Sequence, residues 1–186
     1  RVNGADVRAV TRQSLRRQVG IVEQNPQLFG GTIASNLRWG AQGAGDDDLM
    51  AAVGTAQAAD VVASKDEGLG SRVEQFGRNY SGGQRQRLAI ARTLVRRPSV
   101  LILDDAASAL DFATDAALRR AIRRDCAGTC VVTISQRVAA VRSCDQILVL
   151  DGGTVAGLGT HEELLAGCEV YKEICESQLT SEEAGR

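Results

Sequence analysis

Ser81-Gly82-Gly83-Gln84 stands directly before a run with helical apolar spacing. Ser at a helix start and Gln three residues later form a capping box, each side chain satisfying a backbone N–H near the other. Glycine in a first helical turn sacrifices helix propensity, so the two glycines need a further reason. Bare amides beside a hydroxyl let an anion approach closely, which makes this helix start a candidate phosphate site. A plain glycine-rich cap is the competing reading. The apolar run Val100-Leu101-Ile102-Leu103 ends in two carboxylates, Asp104 and Asp105. His161 is the single histidine, so any Ser-His-Asp or Cys-His mechanism would have to use it. Thr160 and Glu163 flank it with capping-box spacing, which places His161 in a first helical turn.

The chain has 186 residues and a mass of 19.7 kDa, enough for one sizeable core. Hydrophobic residues make up 44% and charged residues 24%, a globular mixture. Met50 is the only methionine and the chain starts at Arg1, which reads as a piece of a longer protein. No apolar run approaches the roughly 18–20 residues that span a bilayer, and no signal peptide opens the chain. A net charge of −1 argues against nucleic acid as a partner. The cysteines, Cys126, Cys130, Cys144, Cys168 and Cys175, form no C-x-x-C pair. Their spacing argues against zinc and suits reduced thiols.

The elements that must position these residues follow from the apolar pattern. Val19-Gly20-Ile21-Val22 reads as a short strand, broken by Asn25-Pro26. Residues 32–39 form a short helix. Asp46-Asp47-Asp48 open another, favourably placed against the helix dipole, with Leu49, Ala52, Val53 and Ala56 at helical spacing. A further helical piece covers 58–63, and 68–77 reads as loop. The strongest helix covers 82–95, with Leu88, Ile90, Ala91, Leu94 and Val95 as its apolar side. Val100–Leu103 and Val131–Ile134 read as strands buried on both faces, as in a parallel sheet covered by helices. Asp111 caps a helix through Leu118 and Ile122, and 138–143 is a short helix. Residues 147–150 and 154–158 flank Asp151-Gly152-Gly153, a hairpin signal. Two terminal helices finish the chain, with a frayed tail at 181–186. The class is α/β, and the helix-rich block from about 32 to 80 sits as an insertion beside the sheet.

The run Tyr80-Ser81-Gly82-Gly83-Gln84-Arg85-Gln86-Arg87-Leu88-Ala89-Ile90-Ala91-Arg92 closely resembles the signature region of ATP-binding-cassette (ABC) ATPases. Val100–Asp105 resembles that family's Walker B strand, and Ser108-Ala109-Leu110-Asp111 its D-loop. Val22-Glu23-Gln24 resembles the Q-loop, with Gln24 at the key position. Leu28-Phe29 and Thr32-Ile33-Ala34-Ser35-Asn36 continue the similarity, and Thr133-Ile134-Ser135-Gln136-Arg137 resembles the switch region. Glu74-Gln75-Phe76-Gly77-Arg78-Asn79 resembles the X-loop of exporters, and 159–165 with 171–173 also resemble exporter sequence.

The resemblance implies a P-loop NTPase-like (RecA-like) parallel-sheet core, at about 1–31 and 98–160. It implies an inserted helical signature subdomain at about 32–97 and C-terminal helices at 161–186. It implies ATP and Mg²⁺ as cofactors, with Asp104 and Gln24 toward the metal and Ser81, Gly82, Gly83, Gln84 and Asp111 toward nucleotide. Asp105, Gln136 and Gln24 stand at the catalytic positions. The implied partners are a second nucleotide-binding domain, paired head to tail, and transmembrane coupling helices that meet the Gln24 and Glu74 regions. The implied location is the cytoplasmic face of the membrane.

The sequence departs from the family at four points. It contains no G-x-x-x-x-G-K-[ST] phosphate loop, which is expected to precede Arg1 in a longer parent. Asp105 stands where active members carry a glutamate, one methylene longer. Gln136 stands where they carry a histidine; it donates a hydrogen bond but cannot carry charge or relay a proton. Tyr80 replaces the usual leucine. An intact signature beside a degraded base and switch resembles one half of a heterodimeric exporter. That half is expected to hydrolyse ATP poorly in its own site, and the isolated chain to be inactive. The alternatives are an active homodimeric exporter and a soluble ABC ATPase outside transport.

Overall fold

The computed structural model describes residues 1–184, with side chains to residue 178. The chain divides into two compact units, Arg1–Ile134 and Ser135–Arg186.

In the first unit, helix α1 (Arg12–Gln18) runs straight into β1 (Val19–Val22). A helical block follows: α2 (Ile33–Leu37), α3 (Asp46–Thr55), α4 (Ala59–Ala63) and the long α5 (Gly82–Leu94). Thr32 caps α2 and Asp46, Asp47 and Asp48 fill the first turn of α3, as their residue types favour. Strand β4 (Val100–Asp104), helix α6 (Phe112–Asp125) and β5 (Cys130–Ile134) complete the unit.

Within 68–77, read from sequence as loop, the chain forms a strand, β3 (Arg72–Val73), paired antiparallel with β2 (Gly31–Thr32). Two-residue strands carry no periodicity of their own; the pairing comes from the packing that brings 31 and 73 together.

The main sheet has the order β1-β4-β5, all parallel. Register puts Gly20, Leu101 and Val131 in one row and Ile21, Ile102 and Val132 in the next. Side chains of successive rows point to opposite faces. The face holding Val22, Leu101 and Leu103 packs on a core that includes Leu88, Ile90, Leu94, Leu118 and Ile122. Gly20 lies so close to this layer that a Cβ there would meet Thr93 Cγ2 at 2.6 Å and Pro98 Cγ at 3.0 Å. The opposite face is open. Ile21 is 55% exposed, Val132 42% and Ile134 51%.

This corrects the expectation of strands buried on both faces. β4 alternates between buried and half-buried residues, and β5, at the sheet edge, is mostly exposed. A continuous apolar run reports the chemistry of both faces, not which of them this chain covers.

In the second unit, α7 (Val138–Val141) precedes a hairpin of β6 (Ile147–Asp151) and β7 (Thr154–Gly159). Gly152 and Gly153 turn it with φ of 53° and 80°. Helices α8 (His161–Gly167) and α9 (Glu169–Ala184) follow. The Thr160–Glu163 capping box forms, and His161 Nδ1 lies 2.9 Å from the Tyr171 hydroxyl. Burial pushes the Tyr171 hydroxyl pKa up to about 12. Helix α9 continues through 181–184, where a frayed tail was expected; residues 185–186 of that tail lie outside the described residues.

The open sheet face yields a direct expectation. A hydrophobic dye should bind the chain, and Val132→Thr with Ile134→Thr should reduce its fluorescence, because both residues stand on that face. Dye titration of both proteins checks this; equal fluorescence would mean that the face is covered in solution.

Candidate functional site

Parallel pairing aligns Val22 with Leu103, so β1 and β4 end side by side. The carboxyl ends of parallel strands are where α/β sheets gather ligand-binding groups. Glu23 and Gln24 follow β1 there, and Asp104 and Asp105 close β4. Asp104 is exposed and Asp105 half-buried. Although 81 residues apart in sequence, Gln24 donates from Nε2 to Asp105 Oδ2 at 3.0 Å.

Asp105 has a φ of 45°, in the left-handed region that Asp tolerates better than most residues. Its N–H donates to the Ile134 carbonyl at 2.9 Å, and its carbonyl accepts from the Ser108 N–H at 3.1 Å. The turn thus redirects the chain into 108–111 while the carboxylate stays at the strand end. Asp111 caps α6, accepting from the Thr114 N–H at 2.9 Å and the Thr114 hydroxyl at 2.7 Å. Those bonds, the backbone one first, hold its carboxyl below the usual range.

The signature helix begins as its residues dictate. Gln84 N–H donates to Ser81 Oγ at 3.2 Å, and Ser81 N–H donates to Gln84 Oε1 at 3.0 Å. The cap uses those two amides and, among the described hydrogen bonds, leaves the Gly82 and Gly83 N–H groups unclaimed. Ser81 and Gly82 are exposed. The two glycines have different reasons. A Cβ on Gly83 would lie 3.0 Å from the Ala109 carbonyl oxygen, so this glycine permits close approach of the 109–110 loop. A Cβ on Gly82 would meet only ordinary contact, the Ala109 Cβ at 3.7 Å.

Gln86, two residues past the capping glutamine, is 1% exposed. Its Nε2 donates to the Gln24 carbonyl at 3.4 Å and its Oε1 accepts from the Ala109 N–H at 3.2 Å. One buried amide therefore joins the loop after β1 to the loop after β4. Sequence reasoning left Gln86 without a role. The available signal was a polar residue on the buried stripe that continues through Ile90 and Thr93.

The Glu74 region is a shaped loop. Asn79 Oδ1 accepts from the Glu74 N–H at 3.0 Å, and Asn79 Nδ2 donates to the Arg72 carbonyl at 2.8 Å. Phe76 protrudes at φ 64°, with the Arg78 guanidinium 5.9 Å from its ring centre. Tyr80 is buried; its hydroxyl donates to the Arg72 carbonyl at 3.3 Å, and burial raises its pKa.

Gln136 belongs to the second unit. Its side chain is exposed, and its backbone carbonyl accepts from Gln178 Nε2 at 2.6 Å.

Mg²⁺ takes one or two carboxylates plus water and substrate phosphates. The exposed Asp104 carboxylate and the Gln24 amide oxygen, left free when Nε2 donates to Asp105, fit that donor set. The open amides at Gly82 and Gly83 beside the Ser81 hydroxyl fit a phosphate.

A parallel α/β sheet with carboxylates at the end of a strand, and an anion-ready helix start elsewhere in the same unit, fit a nucleotide-binding domain. Residues 1–108 match the family model described as "ABC transporter". An uncharacterised ABC transporter ATP-binding protein of Mycobacterium tuberculosis is 42% identical over 188 residues, covering 99% of this chain and 32% of that protein. Human ATP-binding cassette sub-family B member 6 is 38% identical over 183 residues, covering 98% of this chain and 22% of that one. The solved structure of a bacterial Atm1-family ABC exporter with ATP bound superposes with a TM-score of 0.90 at 38% identity, over 95% of this chain and 31% of that chain. The chain belongs to the ABC transporter family, as an ATP-binding domain similar to those of exporters. It spans about a third or less of the length of these relatives. Among the described residues no helix is long and apolar enough to cross a membrane.

The Gln86 bridge is testable by stability. Gln86→Leu keeps the bulk but leaves the Ala109 N–H and the Gln24 carbonyl unpaired, at a cost of about 1–3 kcal/mol. A lower urea midpoint with an unchanged m-value checks it; an unchanged midpoint would mean that neither bond contributes.

Proposed function

We propose that the chain is the ATP-hydrolysing domain of a membrane exporter, acting at the cytoplasmic face, and that it forms the weaker half of a heterodimeric pair. The observation that carries the second part is the 3.0 Å bond between Gln24 and Asp105. It engages a carboxylate already one methylene shorter than the glutamate of active members.

In this reading Asp104 and Gln24 hold Mg²⁺, which when bound neutralises charge on the nucleotide phosphates. Asp105 orients the attacking water, and its short reach leaves that water poorly aligned. Gln136 donates a hydrogen bond to the terminal phosphate without contributing positive charge. Ser81, Gly82, Gly83 and Gln84 present the signature to ATP held by the partner domain, and Asp111 fixes the neighbouring loop by capping α6. The contact of Gly83 with Ala109 supports moving the signature and that loop as one body. The domain bounds carried with this reading are a core at about 1–31 and 98–160 and a helical subdomain at about 32–97.

Docking of transmembrane coupling helices near Gln24 and Glu74 is supported by exposed aromatic surface. Phe76 is exposed, and Phe29 and Trp39 stack with ring centres 4.4 Å apart, Trp39 remaining 61% exposed. A cleft of about 210 Å³ lined by Glu23, Gln27 and Arg92 lies at the end of β1. Burial lowers the Arg92 pKa, against the opposing pull of Glu23.

Two outcomes in the full transporter test this. Asp105→Glu with Gln136→His should raise single-turnover hydrolysis at this half's own site by about tenfold or more, the scale on which a realigned base acts. The partner's catalytic carboxylate is removed for that measurement, and an unchanged rate counts against the degraded-site reading.

The two halves should also respond unequally. Ser81→Ala with Gly82→Asp places a carboxylate where the partner's phosphate approaches and should nearly abolish steady-state ATPase activity. Asp105→Asn should change it less than twofold, because a base matters only where chemistry runs. Equal damage from both would favour an active homodimer.

A further inference from the structure

One side chain holds two backbone groups of the segment that carries Gln136. Gln178, on α9, donates from Nε2 to the Gln136 carbonyl at 2.6 Å and accepts the Val138 N–H on Oε1 at 2.9 Å. Val138 opens α7, whose N-cap residue Arg137 makes no side-chain cap bond. The first N–H groups of a helix have no partner within it, so Gln178 supplies a cap from 40 residues away. The Ser135 hydroxyl takes the Arg137 N–H at 3.1 Å. The backbone around residue 136 is therefore tied on both sides while its side chain stays exposed. A side-chain amide offers a donor and an acceptor in one planar group, and Gln178 uses both at once.

We propose that Gln178 is a positioning residue for Gln136: its amide clips 136–138 to α9 and presents the exposed Gln136 side chain in one orientation. Through this clip the C-terminal helix sets how well this half distinguishes a triphosphate from a diphosphate. The second statement rests on the reading of Gln136 as the switch residue.

The test uses the full transporter, with the partner's nucleotide pocket blocked by mutation. Gln178→Leu removes both bonds. Gln178→Glu keeps the acceptor for Val138 but sets a carboxylate oxygen against the Gln136 carbonyl. Amide hydrogen exchange reads the clip: Gln178→Leu should speed exchange at Val138 roughly tenfold, and Gln178→Glu should leave it protected, since a lost hydrogen bond is worth a factor of this order. The ratio of ATP to ADP affinity reads the consequence. Both variants should lower it roughly three- to tenfold, and neither should lower it further on a Gln136→Ala background, because residues acting as one unit are not additive. Unchanged exchange in Gln178→Leu overturns the clip. Equal losses of ATP and ADP affinity, or additive losses with Gln136→Ala, overturn the positioning role and leave Gln178 as ordinary packing. If Gln136→Ala itself leaves the ratio unchanged while exchange responds, the switch reading fails, and the phosphate-sensing statement falls with it; the clip alone stands.

Discussion

Parallel pairing of β1 with β4 is the constraint on which the rest depends. It fixes Val22 beside Leu103, so the segments after both strands emerge at one edge. A one-residue slip would exchange the buried and open faces of β1 and carry Gln24 away from Asp105. The register is secured by Leu101, at 0% exposure, and by Gly20, which lets Thr93 and Pro98 press onto the sheet. The Gln24–Asp105 bond then reports the register as chemistry.

Glutamine side chains do much of the joining. Gln24 reaches Asp105, Gln86 links the loops after β1 and β4, and Gln178 ties 136–138 to α9. An amide offers a donor and an acceptor without charge, so the cost of burying Gln86 between two backbone groups is offset by the bonds it makes to them. The left-handed turn at Asp105 completes the arrangement: its N–H extends the ladder to β5 while its side chain faces β1.

Much of this was legible in the sequence because it is encoded locally. The Ser81–Gln84 and Thr160–Glu163 capping boxes, the Asp111 cap and the Gly152-Gly153 turn formed where residue spacing put them. The α/β class and the family followed from the same residues. What was not legible is non-local. The β2–β3 pair is too short to show periodicity, and the exposure of β5 depends on which neighbours cover it, not on its apolar content. Gln86 was recoverable as a polar residue on a buried helix stripe. Gln178 was not, because its partners lie about 40 residues upstream.

The proposed function divides the labour unequally: one ATP would be hydrolysed at the site this chain completes for its partner, and another held at its own site. Counting nucleotides tests it most directly. The full transporter would be loaded with two labelled ATP molecules and quenched after one catalytic cycle. The account predicts one ADP and one retained ATP per transporter. Conversion of both ATP molecules at similar rates would contradict it and make Asp105 a working base.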